Sequence, residues 1–395
     1  MVQPGSGGRA DELLTLSQEM IRIPSVYTHE AEIADFVYGR LSDWGFEPRK
    51  VPVPDHGPCI VAEHGDPASP SVVLNGHMDT VEVMSGWKHD PFGAEVEDGM
   101  LYGLGALDMK CGLAALMMTF RTLAGSDALR GRRVVFQAVP GEEDLGIGTR
   151  TLIREGVFRN AEAVIIGEGF GGLHVVTNAR RGGSYYDFHV LGQSAHGATP
   201  HMGKNAAVDA SRLVCALEQM NLSESEGLFS DALEPLKETQ TVLSIHGGGI
   251  SLSVPDRCVV NIVRCTIPGG RIDILPELEA LVSRLSLECE VDIEFKDEPG
   301  DFYKPYLTDA EEPLVRSAVD SLTEVTGTKP TLACGVSEAD DNIVAEETGL
   351  PVICMGPGET GDMARHHRPE EAITISQLPA ALEAYLSTVR RLCEA

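Results

Sequence analysis

The chain repeatedly sets acids and histidines directly after apolar runs, the pattern by which a sheet delivers reactive groups to one edge. In VVLNGHMDT a buried strand is predicted over 72–75, and it hands His77 and Asp79 to its carboxyl end, where open α/β sheets bind ligands. His77 can ligate a cation, and a carboxylate two positions on can hold its other ring nitrogen and so set tautomer and basicity. A turn histidine beside a capping aspartate is the plainer alternative. YGLGALDMKCG opens like a dinucleotide fingerprint at Tyr102, but Asp108 stands where the third glycine belongs, and the nucleotide reading fails there. Gly103 and Gly105 allow a tight turn that presents Asp108 just before a predicted helix over 113–123. Its two oxygens could bridge two cations; a simple helix cap is the alternative.

After a predicted strand over 133–139 come the adjacent acids Glu142 and Glu143. Adjacent carboxylates repel, which makes sense where a cation neutralises one while the other exchanges protons with a bound water. A solvated turn would also accommodate them. The run AVIIGEGF ends in Glu168, and MARHHRPEE offers His366 and His367 near the C-terminal helix, where a lone histidine pair is commonly a surface feature. Together these residues form the mixed nitrogen and oxygen donor set that suits zinc.

The elements that must position these groups alternate strand and helix. Helices are predicted over 11–23 and 30–44, where Leu13, Leu16 and Met20, then Ile33, Phe36, Val37 and Leu41, recur at helical spacing. Apolar runs at 59–62, 72–75, 133–139 and 163–167 alternate with helices at 113–123 and near 149–155, which implies an α/β sandwich with parallel strands. From about residue 180 the pattern changes. Strands at 184–191, 241–245, 258–267 and 291–295 with helices at 206–220 and 275–287 describe a compact α+β unit, and the charged, Gly- and Pro-bearing stretch 297–305 reads as the linker back. The expected fold is therefore α/β, a mixed, mostly parallel sheet sandwiched by helices. A second domain is inserted, with the first part at 1–180, the insertion at 181–302 and the second part at 303–395.

A chain of 395 residues is long enough for two hydrophobic cores. With 31 basic against 60 acidic residues, the net charge of −29 repels nucleic acid and anionic lipid, so neither is expected as a partner. The nine cysteines form no CxxC pair and lie mostly in apolar segments, which reads as reduced thiols of a cytoplasmic protein. MVQPGSGGRA lacks the apolar stretch of a signal peptide, and no run approaches a membrane span.

The motifs NGHMDTV, YGLGALDMKCG, GEED, IIGEG, QSAHGATPHMGKNA and HHRPEE occur in an order that resembles the di-zinc hydrolases comprising aminoacylases, acetylornithine deacetylase, succinyl-diaminopimelate desuccinylase and carboxypeptidase G. The resemblance covers nearly the whole chain. It implies a zinc-exopeptidase-like catalytic domain with an inserted dimerisation or lid domain, and two Zn2+ per chain, replaceable by Co2+ or Mn2+. It further implies that His77 and Glu168 bind one ion, Glu143 and His367 the other, and that Asp108 bridges them. Glu142 matches the family's general base and Asp79 the acid that orients the first histidine. His367 is chosen over His366 because Arg-Pro-Glu-Glu follows it at the family's spacing. His196 matches the histidine that reaches across a dimer interface to the oxyanion, which implies a homodimer. Arg264, in VVNIVRCTIPG, matches the arginine that holds a substrate carboxylate.

The resemblance also implies a role in amino-acid metabolism: deacylation of an N-acyl amino acid through a zinc-bridged water, with Glu142 as base. A dipeptidase or carboxypeptidase would carry the same site, and a catalytically dead binding or scaffold homologue is the remaining alternative. Leu104, Cys111, Leu252 and Glu338 depart from the family pattern, and the departures are expected to lie around the substrate. No GxSxG elbow and no GxxxxGK[ST] loop occurs, which removes serine-hydrolase and phosphate-loop chemistry.

Overall fold

The structure, a computed structural model, describes residues 6–169, 171–230, 234–248, 252–271, 273–296, 302–358 and 365–394. The described residues divide into two compact units. One comprises Met1–Ala179, Phe229–Glu234 and Leu307–Ala395, the other Arg180–Leu228 and Pro235–Tyr306.

The first unit is built on a mixed sheet that is parallel through its centre. Ser71–His77 lies between Arg133–Val139 and Ala161–Ile166, parallel to both, and Val352–Cys354 continues the parallel set beyond Ala161–Ile166. Antiparallel pairs flank this centre, Cys59–His64 against Arg133–Val139 and Val352–Cys354 against Val175–Arg180. Ser71–His77 and Arg133–Val139 are buried along their whole length, which is why their sequences are continuous rather than alternating apolar runs. Helix Cys111–Ala124 is likewise buried on nearly every face, whereas Ser6–Ile21 and Ala31–Asp43 bury one stripe that includes Leu13, Leu16, Met20, Ile33, Val37 and Leu41. The α/β class expected from the alternation of elements is the class observed. A small sheet of Glu95–Glu97, Met100–Tyr102 and Ala372–Thr374 was not legible, because its strands are three residues each and carry no resolvable period.

The second unit is an antiparallel sheet in the order Thr239–Gly247, Arg257–Thr266, Gly182–Leu191, Glu290–Lys296. Its core packs Tyr186, Phe188, Val190, Val260 and Ile262 with Leu213 and Leu278 of helices Ala206–Leu217 and Leu275–Arg284. Of the stretch read as a linker, 297–301 lie outside the described residues. Its next residues, Phe302–Tyr303, are not free linker but a short strand against Gly182–Leu191.

Candidate metal centre

His77 is the last residue of the central strand Ser71–His77, and only 2% of its surface is exposed. Its Nε2 lies 2.9 Å from Asp108 Oδ1, and Nδ1 lies 3.1 Å from the carbonyl oxygen of Asp79. The Asp79 carboxylate, expected to hold this ring, stands farther off, with Oδ1 at 3.7 Å. It is instead tied to the neighbouring loop, where its Oδ2 accepts the Glu143 backbone N–H at 2.9 Å. Asp79 thus orients His77 through its main chain and the loop of the two glutamates through its side chain.

Asp108 sits in the irregular turn Ala106–Lys110 that enters helix Cys111–Ala124. The turn depends on Gly105 at φ +78°, where a Cβ would fall 2.6 Å from Thr80 Cγ2. It is held by a residue to which the sequence alone assigned no role. The buried Glu371 accepts backbone N–H groups from Gly105, Leu107 and Asp108 at 3.0, 2.8 and 3.1 Å. From sequence, Glu371 enters only as the last residue of HHRPEE, part of the spacing by which His367 is chosen. Burial pushes the Glu371 carboxyl up to about 7. Burial also brings Lys110 down to about 7, its Nζ donating to the Ile23 carbonyl at 2.8 Å.

Glu168 follows strand Ala161–Ile166 and is buried. The helix can seat against this strand end because residue 112 is glycine, where a Cβ would come 1.9 Å from the Gly167 carbonyl oxygen. Glu142 and Glu143 lie on the loop after Arg133–Val139, both partly buried. His367 Nε2 reaches both Glu143 Oε2, at 3.3 Å, and Asp108 Oδ2, at 3.4 Å. His366 Nδ1 also faces Asp108 Oδ2, at 3.6 Å.

Two groups therefore converge, His77, Asp108 and Glu168 in one and Asp108, Glu143 and His367 in the other, with the ligand atoms of each group within 4.8 Å of one another. Asp108 belongs to both and turns a different oxygen to each histidine. This mixed donor set fits a pair of divalent cations such as zinc. The electrostatics agree. Burial works against a charged His77, yet the Asp108 contact and the charges of Glu142, Asp108 and Asp79 hold its pKa well above the ordinary value, so the cluster draws positive charge to itself. Burial, followed by the opposing charge of His77 and the like charges of Glu168 and Glu143, leaves Glu142 well above the usual carboxylate range.

In the second unit, His196 is exposed on a loop and its Nδ1 accepts the Ala198 N–H at 3.1 Å. Arg264 differs from the open fork expected of a carboxylate holder. It is 2% exposed, and it donates from Nη2 to Glu238 Oε2 at 2.8 Å and from Nη1 to Gln240 Oε1 at 3.3 Å. Burial between strands demands a partner for the guanidinium, and Glu238 is that partner. Leu104 and Cys111, expected near the substrate, are instead buried in the first unit, where they answer to packing. Leu252 is 73% exposed on the second unit.

The model of Peptidase family M20/M25/M40 matches residues 73–391. Among curated proteins, a succinyl-diaminopimelate desuccinylase from Hahella chejuensis is 27% identical over 383 residues, covering 94% of each chain. Among solved structures, an M20 family metallo-carboxypeptidase from Sulfolobus solfataricus matches with a TM-score of 0.76 at 18% identity, covering 98% of this chain and 100% of the other. A dinuclear metal-binding M20 peptidase from Bacillus subtilis matches with a TM-score of 0.73 at 14% identity, covering 98% and 99%. With the family model spanning most of the chain and the donor groups gathered at the carboxyl ends of its central strands, this chain belongs to Peptidase family M20/M25/M40 and is a metal-dependent hydrolase.

Proposed function

We propose that this chain hydrolyses the linear amide of an N-acyl amino acid, as a desuccinylase or deacetylase does, with two zinc ions held by His77 and Glu168, by Glu143 and His367, and by Asp108 between them. The observation that supports the reading is the sharing of Asp108 by two ligand groups, with Glu142 next to one of their members. Bound zinc would supply Lewis acidity, lowering the pKa of water to about 7 and polarising the scissile carbonyl. Glu142 takes the proton of the attacking water and later delivers it to the leaving nitrogen, a task helped by the raised affinity for a proton that its buried, acidic surroundings impose. The Asp79 carbonyl accepts the Nδ1 proton of His77 and so turns Nε2 toward Asp108.

His196 is assigned the oxyanion, donated from a second copy of the chain, so the active assembly is a homodimer; one such donor contributes about 3 kcal/mol. A cytoplasmic location accords with nine cysteines that are not paired in disulfides. No helix among the described residues is long and apolar enough to cross a membrane.

The acyl reading is favoured over a dipeptidase or carboxypeptidase because the Hahella relative that matches over 94% of both chains is named for removal of a succinyl group. A panel of N-succinyl amino acids, N-acetyl amino acids and dipeptides tests it. The N-acyl substrates are expected to give the highest kcat/KM, and a clear preference for dipeptides would reverse the assignment.

A further inference from the structure

His367 does not sit on a helix or strand. It lies in a turn with a positive φ of +54°, and its side chain is half exposed. A ligand on such a turn is positioned by the contacts of its chain neighbours. Two successive glutamates make such contacts, in different directions. Glu371 takes the three amides of the Asp108 turn. Glu370, itself at φ +66°, accepts the N–H groups of Lys88 and His89 at 2.6 and 3.2 Å, and its Oε2 lies 2.9 Å from His89 Nδ1.

His89 is held at both ring nitrogens and on one ring face. Its ring stacks on Tyr102 with centroids 3.9 Å apart and planes 16° from parallel, and its Nε2 lies 3.0 Å from Glu97 Oε2. Tyr102 and Glu97 belong to the small three-stranded sheet, whose third strand, Ala372–Thr374, begins one residue after Glu371; Tyr102 pairs with Ala372. The imidazole thus ties the His367 loop to a sheet that the same loop runs into. It bridges two carboxylates, Glu370 first and Glu97 second, whose hydrogen bonds raise its pKa.

We propose that His89, acting through Glu370, is a positioning residue for His367 and sets the affinity of the metal position formed by Asp108, Glu143 and His367, while leaving that of His77, Asp108 and Glu168 unchanged. The proposal rests on the ligand assignment under the proposed function. Groups that orient a ligand typically change metal affinity by 10- to 100-fold. His89 acts through an intervening side chain that is partly exposed, so the lower end, about tenfold, is expected.

The test is Zn2+ binding by the full chain against a competing chelator, resolving the stronger and the weaker ion. His367→Ala is the reference and should lose the weaker ion. His89→Phe keeps the stack on Tyr102 but removes both polar contacts; it should retain two ions, with the weaker bound about tenfold less tightly and the stronger unchanged. His89→Gln should recover part of the loss. Glu370→Gln, which keeps an oxygen for the Lys88 amide, should resemble His89→Phe and carries the test if that variant does not fold. Binding of both ions within twofold of wild type in His89→Phe or Glu370→Gln, alongside a lost ion in His367→Ala, would overturn the proposal. Equal weakening of both ions would overturn it too, since general loosening does that. If His367→Ala binds both ions normally, the ligand assignment itself falls, and the proposal with it.

Discussion

The side chain of Asp79 accepts the backbone N–H of Glu143 at 2.9 Å, so the loop after one parallel strand is fastened to the segment just beyond the end of the neighbouring strand. Asp79 is fully buried, and burial raises its pKa to about 7. One side chain therefore sets the spacing between His77, whose ring its own carbonyl holds, and the glutamate pair. Asp79→Ala is expected to lower metal affinity and kcat by about 10- to 100-fold, and Asp79→Asn, which retains an acceptor oxygen, by less. Steady-state kinetics with metal analysis measures both; equal effects of the two substitutions would show that the acceptor is not what matters.

Glu142→Gln is isosteric and leaves all five proposed ligands in place. It should keep full metal content and thermal stability while kcat falls by about 10²- to 10⁴-fold, the usual contribution of a general base. A variant with near-normal turnover would remove Glu142 from the mechanism.

Removing the ions should destabilise the first unit, because the buried carboxylates then face one another with only the histidines to balance them. A ligand present at about 100 times its Kd stabilises by about 2.7 kcal/mol. Calorimetry in chelator should therefore show a lower Tm that zinc restores. An unchanged Tm would mean that the groups hold no metal in solution.

Arg264 and Glu238 are a buried ion pair in the second unit. Truncating one partner leaves an uncompensated charge, so Arg264→Ala should destabilise by about 3–5 kcal/mol, read from chemical denaturation. A folded, stable variant with only a raised KM would instead restore the substrate role expected from the resemblance.

Glu12 and Arg121 join helix Ser6–Ile21 to helix Cys111–Ala124 through two hydrogen bonds of 2.7 Å. The Arg121 contact lowers the Glu12 pKa. A depressed carboxylate stabilises above its unfolded pKa, about 4.3, and that contribution is lost as pH falls through the folded value. The pair is partly exposed, so the effect is below about 1 kcal/mol. Glu12→Gln should lower Tm slightly at neutral pH, with the difference shrinking as pH falls below about 4.3, and a pH-independent difference would assign the loss to packing.

The strands and helices that carry the site were legible because burial writes itself into local order. Continuous apolar runs end in His77 and Glu168, and glycines precede Asp108. Residue types alone suggested one donor set, but its division between two ions came only from the resemblance, since residues as distant as 77 and 367 share no local pattern. The strands Glu95–Glu97, Met100–Tyr102 and Ala372–Thr374 are too short to carry a period, so the setting of His89 and Glu370 has no local signal.

By itself, then, the amino-acid order determined the α/β class, the strand ends that present polar groups, and the chemical type of those groups, because hydrophobic period and residue identity are local properties. Tertiary structure alone decided that the Asp79 carbonyl and not its carboxylate lies nearest the His77 ring, that Glu371 gathers the amides of the Asp108 turn, that Leu104 and Cys111 are core, and that Arg264 is given to Glu238. Each of these turns on which atom of a side chain or main chain comes within hydrogen-bonding or packing distance of another. That is fixed by how elements far apart in the chain are brought together, and no stretch of sequence contains it.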